Sequence, residues 1–289
     1  MSVPPPAPTS VSIQLGARRE RIAVLIGLLL ILGAGLALGG FVLPEAVRGR
    51  VQILAHRGAS AYAPENTLAA FKLAVDQRTD WLEMDVQQTS DGRLVVFHDI
   101  RMERTTNGRG ALRDLTLDQV RQLDAGAWFD PKFAGEQVPT FEEVVAYARD
   151  NGVKIFPEVK DPRLYPGIEE RVAATIAAYG YEDRTIVQSF DGSSLERLRK
   201  INPKLRLAAL YTATTPLKGD PPASAEIVGP PWEMIAADQS LVRDAHAAGR
   251  QIVVWTVDSP ASMKLMLDAR VDGIITGRPD LARTLLEGR

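Results

Sequence analysis

The sequence predicts an α/β protein in which residues 51–289 form a (β/α)8, or TIM, barrel with a small insertion, preceded by one N-terminal transmembrane helix. Apolar, strand-like runs alternate with helix-like segments along these residues, which is typical of a parallel sheet with right-handed crossovers. Eight strands within about 240 residues match the size of a closed (β/α)8 barrel. An open doubly wound sheet would carry a glycine-rich phosphate turn after its first strand, and Gly58-Ala59-Ser60 lacks that pattern.

The alternation of apolar runs and helix-like segments predicts where each strand and helix of the barrel lies. The eight strands are expected to begin near Val51, Trp81, Lys154, Arg184, Leu205, Met234, Gln251 and Val271. Helices are expected between them, over Pro64 to Gln77, Thr140 to Asn151, Gly167 to Tyr179, Ser193 to Ile201, Ser240 to Ala248, Pro260 to Ala269 and Pro279 to Leu286.

A further short strand, Leu94 to His98, follows the second barrel strand after only a few residues. The connection contains Asp91-Gly92, a strong hairpin signal. We therefore expect an antiparallel return strand outside the eight, which brings His98 back near the level of Asp85.

Two long connections follow the predicted strands. Residues 100–139 hold turn signals and a short helical pattern, and are expected to form a small insertion over the barrel mouth. Residues 211–233 are rich in Pro and Gly and also follow a strand, which in a barrel places them at the active face. Tyr211 and Trp232 in this loop are expected either to form a substrate wall or to anchor the loop, and both interpretations stay open.

The N-terminal part predicts a membrane anchor. Residues 1–20 are expected to be a disordered tail, and residues 21–44 a transmembrane helix, since Ile22 to Leu43 contain no charged side chain. Arg18, Arg19 and Arg21 favour a cytoplasmic N-terminus with the barrel outside the cytoplasmic membrane. The alternative is a cleaved signal peptide, although the apolar run is longer than signal peptides usually have.

Composition narrows the function classes. The formal net charge of −2 and the pI of about 6.0 disfavour a nucleic-acid partner. The chain has no cysteine, which excludes disulfides and thiolate metal sites. The oligomeric state is not indicated by the sequence.

Charged residues stand at the C-terminal ends of several strands that are otherwise apolar. Glu83 and Asp85 lie two apart and project to one face, and Glu158 ends the next barrel strand. Three converging carboxylates repel one another, and a hard cation, Ca²⁺ or Mg²⁺, would relieve this repulsion. The alternative is a structural ion-pair network with Arg57 and Lys160, but the position of the whole set favours a metal site.

The remaining polar residues at the strand ends suit acid–base chemistry on an anion. His56 and His98 follow apolar runs and are candidates for a general acid and a general base. Arg57 and Lys160 add positive charge beside the carboxylates, which fits a phosphate group. Glu65 has two interpretations of equal weight: part of a helix start at Pro64, or a partner of a substrate hydroxyl or of the metal site.

These residues, taken in order, resemble the motifs of the glycerophosphodiester phosphodiesterase family. The resemblance covers residues 51 to about 285 and rests on His56-Arg57-Gly58, Pro64-Glu65-Asn66-Thr67, Glu83-x-Asp85-Val86, His98-Asp99, Glu158-x-Lys160, Gln188-Ser189-Phe190 and Trp255-Thr256-Val257. Each motif alone is weak, whereas seven in order are specific. Ile274 to Asp280 also resembles the closing strand of the family, with Gly277 at a position where Asp is expected.

The resemblance implies roles for individual residues. It implies that Glu83, Asp85 and Glu158 hold Ca²⁺ or Mg²⁺ and that His56 and His98 form the acid–base pair. It implies that Arg57 and Lys160 contact phosphate and that Trp255 lies against the glycerol.

The expected function is metal-dependent hydrolysis of glycerophosphodiesters to glycerol 3-phosphate and an alcohol, by a cell-membrane protein with one transmembrane pass. The nucleophile is either water or the substrate's own neighbouring hydroxyl. One alternative is a lysophospholipase D that acts on single-chain lipids, which a membrane anchor would bring near its substrate. The other is a membrane-tethered barrel that binds phosphate without catalysis.

Overall fold

Eight parallel strands close into a barrel in the computed structural model, which describes residues 50–214, 222 and 224–288. The barrel strands are β1 Gln52–Ala55, β2 Trp81–Gln88, β4 Lys154–Val159, β5 Ile186–Ser189, β6 Arg206–Leu210, β7 Ile227–Gly229, β8 Gln251–Val254 and β9 Gly273–Thr276. Each pairs in parallel with its neighbours, and β1 pairs with both β2 and β9, which closes the ring. The predicted (β/α)8 barrel is therefore confirmed.

The return strand also forms as expected. Strand β3, Leu94–Val96, pairs antiparallel with β2, so that Val86 lies opposite Val96. The hairpin is closed by Gly92, whose φ is +78°. The chain then reaches His98 close to the C-terminal end of β2, because the backbone N–H of Phe97 donates to the carbonyl of Asp85 at 2.9 Å.

Helices lie between the strands, as the alternation predicts. They are α1 Leu68–Asp76, α2 Leu117–Val120, α3 Phe141–Asp150, α4 Ile168–Ala178, α5 Gly192–Ile201, α6 Trp232–Ala237, α7 Ser240–Ala247, α8 Pro260–Asp268 and α9 Pro279–Glu287. Side-chain caps define several starts: Thr140 and Ser259 each accept a backbone hydrogen bond in a capping box. Helix α1 begins at Leu68 with Thr67 as its N-cap, so Pro64 does not form its first turn, and that interpretation of Pro64-Glu65 was wrong.

One predicted strand was misplaced. The sixth barrel strand was expected near Met234, but it is β7, Ile227–Gly229, and Met234 lies in helix α6. This strand has three residues and is followed by Pro230-Pro231, so it presents almost no period-2 pattern. The apolar residues from Trp232 onward, which suggested a strand, belong to helix α6.

Two apolar layers stabilise the barrel. The interior is filled by Leu54, Trp81, Phe156, Ile186, Ala208, Ile227, Val253 and Ile275. A larger layer between the sheet and the helices contains Phe71, Phe141, Ile176, Leu198, Ile252 and Met263 among its fully buried members. Burial of a side chain of this size contributes roughly 1.5–3 kcal/mol, so these layers hold the strand ends in fixed positions.

Residues 100–139, where the insertion was expected, have a small core of their own. Besides α2 they contain three short 3-10 helices, Met102–Arg104, Leu112–Asp114 and Pro131–Phe133. Their apolar side chains pack with residues of the return strand, in a cluster made of Val95, Phe97, Met102, Leu112, Val120, Ala125 and Val138. The insertion is thus fixed to β3 and to Phe97, which directly precedes His98.

The predicted tail and anchor, residues 1–20 and 21–44, lie outside the described residues. Within the described part of the chain, the helices are too short or too polar for any of them to cross a bilayer.

Candidate active site

A cavity of about 280 Å³ opens at the C-terminal ends of the barrel strands. It is lined by His56, Arg57, Glu83, Asp85, His98, Glu158, Lys160, Gln188, Phe190, Leu210, Trp255, Thr256 and Ile275. Eight of the nine residues singled out from the sequence belong to this lining. The ninth, Glu65, lies beside it, with its carboxylate held by Arg57 and Arg104.

The opposite end of the barrel has a second cavity of about 300 Å³. Arg50, Lys154 and Arg206 stand at its rim, above apolar residues of the barrel interior. It lacks the histidines and the carboxylate cluster among its lining residues, so the chemistry is assigned to the C-terminal end.

Three buried carboxylates form the floor of the site. Glu83, Asp85 and Glu158 are 3%, 1% and 7% exposed, and each offers an oxygen within 4.8 Å of the others. Their convergence follows from the sheet, because Glu83 and Asp85 lie two residues apart on β2 and therefore on the same face, and Asp85 is the register partner of Glu158 on β4. The barrel therefore forces three negative charges into one small volume.

Polar neighbours fix two of these carboxylates. Glu83 accepts hydrogen bonds from Gln188 Nε2 at 2.9 Å and from the backbone N–H of Arg57 at 2.8 Å. Asp85 accepts one from Asn66 Nδ2 at 2.8 Å. Sequence reasoning named Asn66 and Gln188 within motifs but gave neither a role.

Burial and mutual repulsion shift the pKa values of the cluster. Burial, followed by the charge of Asp85, raises the pKa of Glu83 well above its ordinary value and that of Glu158 to about 8. Burial also disfavours the charged form of Asp85, but the charges of Arg57, His98 and Lys160 outweigh it and lower the pKa of Asp85. One carboxylate is thus ionised while its two neighbours tend to hold protons.

A hard divalent cation fits this donor set. The ligands are carboxylate oxygens, which Ca²⁺ and Mg²⁺ prefer. Gln188 adds a further oxygen beside them. Its Nε2 donates to Glu83, while its Oε1 is buried without a hydrogen-bond partner among the described residues, as expected of an oxygen that faces a cation. Three carboxylates against Arg57 and Lys160 leave one net negative charge, which a divalent ion and a phosphodiester anion together would neutralise.

Two cations border the carboxylates. Arg57 Nε lies 3.1 Å from Asp85 Oδ2, and Lys160 Nζ lies 3.1 Å from Glu158 Oε1. Arg57 has a left-handed backbone, with φ +53°, and Gly58 follows with φ +83°. A Cβ on Gly58 would lie 2.6 Å from the carbonyl carbon of Ala70, so glycine is required for this turn.

The two histidines occupy different surroundings. Burial, followed by the charge of Arg57, lowers the pKa of His56 to about 4, so this imidazole is neutral at pH 7. His98 Nδ1 lies 2.6 Å from Asp99 Oδ1. A carboxylate at this distance holds the proton on Nδ1, which leaves Nε2 as the free ring nitrogen. The sequence offered His98-Asp99 only as a motif and did not indicate this pairing.

An apolar wall stands opposite the charged floor. Trp255 donates its indole N–H to the carbonyl of Gly229 at 2.8 Å, and its ring meets Phe190 edge to face at 5.7 Å between centroids. Phe190 is 44% exposed at the rim. Tyr211 is buried in the apolar layer between the sheet and the helices, and Trp232 packs against that layer, so both anchor the loop and neither lines the cavity.

The unexpected Gly277 has a packing reason. A Cβ at this position would lie 2.8 Å from Ser60 Oγ and 3.3 Å from the backbone nitrogen of Ala61. The backbone N–H of Gly277 donates to Asp258 Oδ1 at 2.8 Å, and Thr276 Oγ1 donates to the same oxygen at 2.9 Å. Asp258 thus supplies a carboxylate at this end of β9.

Comparison with known proteins agrees with this geometry. Residues 56–281 match the model of the glycerophosphoryl diester phosphodiesterase family. A glycerophosphodiester phosphodiesterase of Caldanaerobacter subterraneus is 41% identical over 242 residues, which cover 79% of this chain and 94% of the relative. One of Bacillus subtilis is 34% identical over 257 residues, covering 83% of this chain and 87% of the relative.

Solved structures show the same fold. A glycerophosphodiester phosphodiesterase of Agrobacterium tumefaciens superposes with a TM-score of 0.71 and 31% identity, over 81% of this chain and 99% of the other. An Oleispira antarctica phosphodiesterase, solved with the product sn-glycerol-3-phosphate, superposes with a TM-score of 0.72 and 25% identity, over 82% of this chain and 97% of the other.

Barrel, site and relatives together define a phosphoric diester hydrolase built on a (β/α)8 barrel. Within that class, the chain belongs to the glycerophosphoryl diester phosphodiesterase family. Membership in a family of enzymes argues against the non-catalytic phosphate-binding barrel.

Proposed function

We propose that this protein hydrolyses glycerophosphodiesters to glycerol 3-phosphate and an alcohol, with a divalent metal ion and with His56 and His98 as the acid–base pair. The observation that carries the proposal is the convergence of a buried carboxylate triad, two cations and two imidazoles in one cavity. A phosphodiester needs all three: charge stabilisation, anion binding and proton transfer.

Arg57 and Lys160 bind the phosphate in this proposal. Their side chains are 17% and 14% exposed, so a substrate oxygen displaces little water when it reaches them. Both cations favour the charge that accumulates on the phosphoryl oxygens as the P–O bond to the leaving alcohol breaks.

His56 and His98 move the protons. One imidazole takes the proton of the attacking hydroxyl, of water or of the substrate, and the other gives a proton to the departing alcohol. Asp99 holds the ring of His98 in one orientation with Nε2 free, while Arg57 keeps cationic charge beside His56.

Glu83, Asp85 and Glu158 would hold Ca²⁺ or Mg²⁺. When bound, such an ion polarises a phosphoryl oxygen and so adds to the positive charge around the phosphate. The same carboxylates also position Arg57 and Lys160, through the contacts of Asp85 and Glu158 with those side chains.

The identity of the cleaved bond tests the proposal. The purified full chain is incubated with sn-glycero-3-phosphocholine and Ca²⁺ or Mg²⁺, and the products are read by ³¹P NMR for the phosphate esters and by ¹H NMR for the free alcohols. Glycerol 3-phosphate and free choline are expected. Formation of phosphocholine and glycerol, or no turnover with any glycerophosphodiester tested, would overturn it.

A lysophospholipase D activity is the second candidate, and the apolar wall favours it. Phe190 projects at the rim beside Trp255, where an acyl chain would find apolar surface. Choline release from lysophosphatidylcholine and from its deacylated counterpart, measured side by side, separates the two. We propose the deacylated diester as the better substrate because the relatives that this chain matches over most of their length are named glycerophosphodiester phosphodiesterases.

The location of the enzyme is also proposed. The charge-free run from Ile22 to Leu43 supports a single-pass anchor in the cell membrane, with the barrel outside the cytoplasmic membrane. Extraction of the full chain from membranes by detergent, but not by high salt or alkaline carbonate, is the expected result. Release by carbonate would argue against the anchor.

A further inference from the structure

The half-exposed guanidinium of Arg104 lies between two carboxylates at the edge of the active site. Arg104 ends the short helix Met102–Arg104 of the insertion, and its side chain is 44% exposed. Its Nε and Nη2 donate to the two oxygens of Asp99 at 2.6 and 2.9 Å. Its Nη1 and Nη2 donate to the two oxygens of Glu65 at 2.8 and 2.7 Å. Both sides of one guanidinium are therefore occupied by bidentate pairs.

Each of these carboxylates also holds a residue of the proposed machinery. Asp99 Oδ1, which accepts from Arg104, lies 2.6 Å from His98 Nδ1. Glu65 Oε1, which also accepts from Arg104, accepts from Arg57 Nη1 at 2.8 Å. Arg104 thus joins the partner of a proton-transfer histidine to the partner of a phosphate-binding arginine.

A cation is needed at this point, and only a guanidinium has the required geometry. Asp99 and Glu65 would repel each other without it. Hydrogen bonding to Arg104 is the largest cause that lowers the pKa of Asp99, to about 2, and Arg104 also lowers that of Glu65 against the effect of burial. A lysine ammonium is a single point of charge and cannot form two planar bidentate pairs at once.

We infer that Arg104 is a positioning residue, which fixes His98 through Asp99 and Arg57 through Glu65, so that the insertion sets the geometry of proton transfer and of phosphate binding together. The inference rests on the proposed function. Arg104 itself lies outside the cavity lining and touches no reacting atom in this account.

Removal of the guanidinium should therefore affect two kinetic constants by separate routes. In Arg104→Ala, we expect kcat to fall about 10²-fold, since misplacement of a catalytic group by about 1 Å costs that much. We expect KM for sn-glycero-3-phosphocholine to rise at the same time, because Arg57 loses its fixed partner. Arg104→Lys keeps the charge and should show a similar fall in kcat.

Double variants separate the two routes. In an Asp99→Ala background, Arg104→Ala should lower kcat by no more than about threefold and still raise KM, since residues that act as a unit are not additive. In a Glu65→Ala background, Arg104→Ala should lower kcat and leave KM nearly unchanged. Losses that multiply in full in both backgrounds would overturn the inference.

Chemical rescue guards against a simple folding defect. Ethylguanidinium should restore part of the kcat of Arg104→Ala, whereas ethylammonium at the same concentration should not. The matched control is Arg101→Ala in the same segment, whose guanidinium pairs with the exposed Glu103 at 2.7 Å and should be dispensable. Equal rescue by both cations, or kinetics of Arg104→Ala as close to wild type as those of Arg101→Ala, would contradict the role.

A spectroscopic reading separates failure of this inference from failure of the proposed function. In ¹⁵N-labelled protein, we expect one fixed Nδ1–H tautomer for His98, assigned by its loss in His98→Ala, and a mixture of tautomers in Arg104→Ala. If no diester is hydrolysed but this change occurs, the proposed function fails and the positioning of His98 stands. An unchanged tautomer in an active enzyme contradicts the positioning alone.

Discussion

Asp85 and Glu158 are register partners on neighbouring parallel strands, and both side chains are buried in the same cavity. Burial, followed by the charge of Asp85, raises the pKa of Glu158 to about 8, whereas the charges of Arg57, His98 and Lys160 outweigh burial and lower the pKa of Asp85. If the pair holds a metal ion, as proposed, Glu158 must first give up its proton.

Metal binding should release protons at neutral pH. Metal ligands must be ionised, and the raised pKa values of Glu158 and Glu83 mean that the metal-free site holds protons at pH 7. Affinity for Ca²⁺ or Mg²⁺ should rise with pH up to about 8, by about tenfold per pH unit for each proton released.

Calorimetry in two buffers of different ionisation enthalpy measures this release. The difference in apparent binding enthalpy between the buffers, divided by the difference in their ionisation enthalpies, gives the number of protons released. We expect at least a sizeable fraction of one proton. Glu169→Gln is the matched control, since Glu169 is also buried but pairs with Arg197 away from the site, and it should leave the release unchanged. Identical enthalpies in both buffers would show that the triad is already fully ionised.

Loss of either site histidine should abolish most of the turnover. His56→Ala and His98→Ala should each lower kcat by about 10²–10⁴, the usual contribution of a positioned acid or base. His246→Ala serves as the control, because His246 lies in helix α7, pairs with Asp272 at 2.8 Å, and neither residue lines the active-site cavity. A rate near that of wild type in His56→Ala or His98→Ala would remove that residue from the mechanism.

His56 should make the metal-free protein less stable in mild acid. Its pKa is about 4 in the folded state against an ordinary value of 6.5, so between these values the unfolded chain binds a proton that the folded chain does not. The stability due to this group is present above pH 6.5 and is lost as pH falls towards 4, by up to about 1.4 kcal/mol per pH unit. Urea unfolding in EDTA at several pH values measures it.

The control for that measurement is His56→Gln, which has no titrating group at this position. Its free energy of unfolding should fall less steeply between pH 6.5 and 4.5 than that of the wild type. Parallel slopes for the two proteins would mean that His56 is not desolvated as the structure indicates.

Gly277→Ala should destabilise the barrel. The added methyl group would stand 2.8 Å from Ser60 Oγ, which can rotate away, and 3.3 Å from the backbone nitrogen of Ala61, which cannot, so we expect a cost of about 1 kcal/mol. Ser60→Ala combined with Gly277→Ala should recover the part of the loss that comes from Ser60 Oγ. The part that comes from the backbone nitrogen of Ala61 should remain. If Gly277→Ala unfolds at the same urea concentration as wild type, packing does not explain this glycine.

The carboxylate floor was predictable because it depends on regular geometry. Alternation along a strand places Glu83 and Asp85 on one face, and parallel strands bring Glu158 to the same level. His56 and Lys160 follow the ends of parallel barrel strands in the sequence, which was sufficient to predict that they share this cavity.

Other features depend on contacts that leave no periodic signal. Strand β7 is three residues long and is recognised only by its pairing with β6 and β8, which is why it was misplaced. Arg104 contacts Glu65, 39 residues earlier, only because the insertion folds back over the return strand. In the sequence, Arg104 is one of many charged residues in a polar connection.

Hydrolysis of sn-glycero-3-phosphocholine before and after removal of metal tests the central claim most directly. Turnover by the full chain should disappear in EDTA, return on addition of Ca²⁺ or Mg²⁺, fail to return in Glu83→Gln, and return in the Glu169→Gln control. Turnover that persists in EDTA, or that returns in Glu83→Gln as it does in wild type, would contradict a reaction centred on the metal and the buried carboxylates.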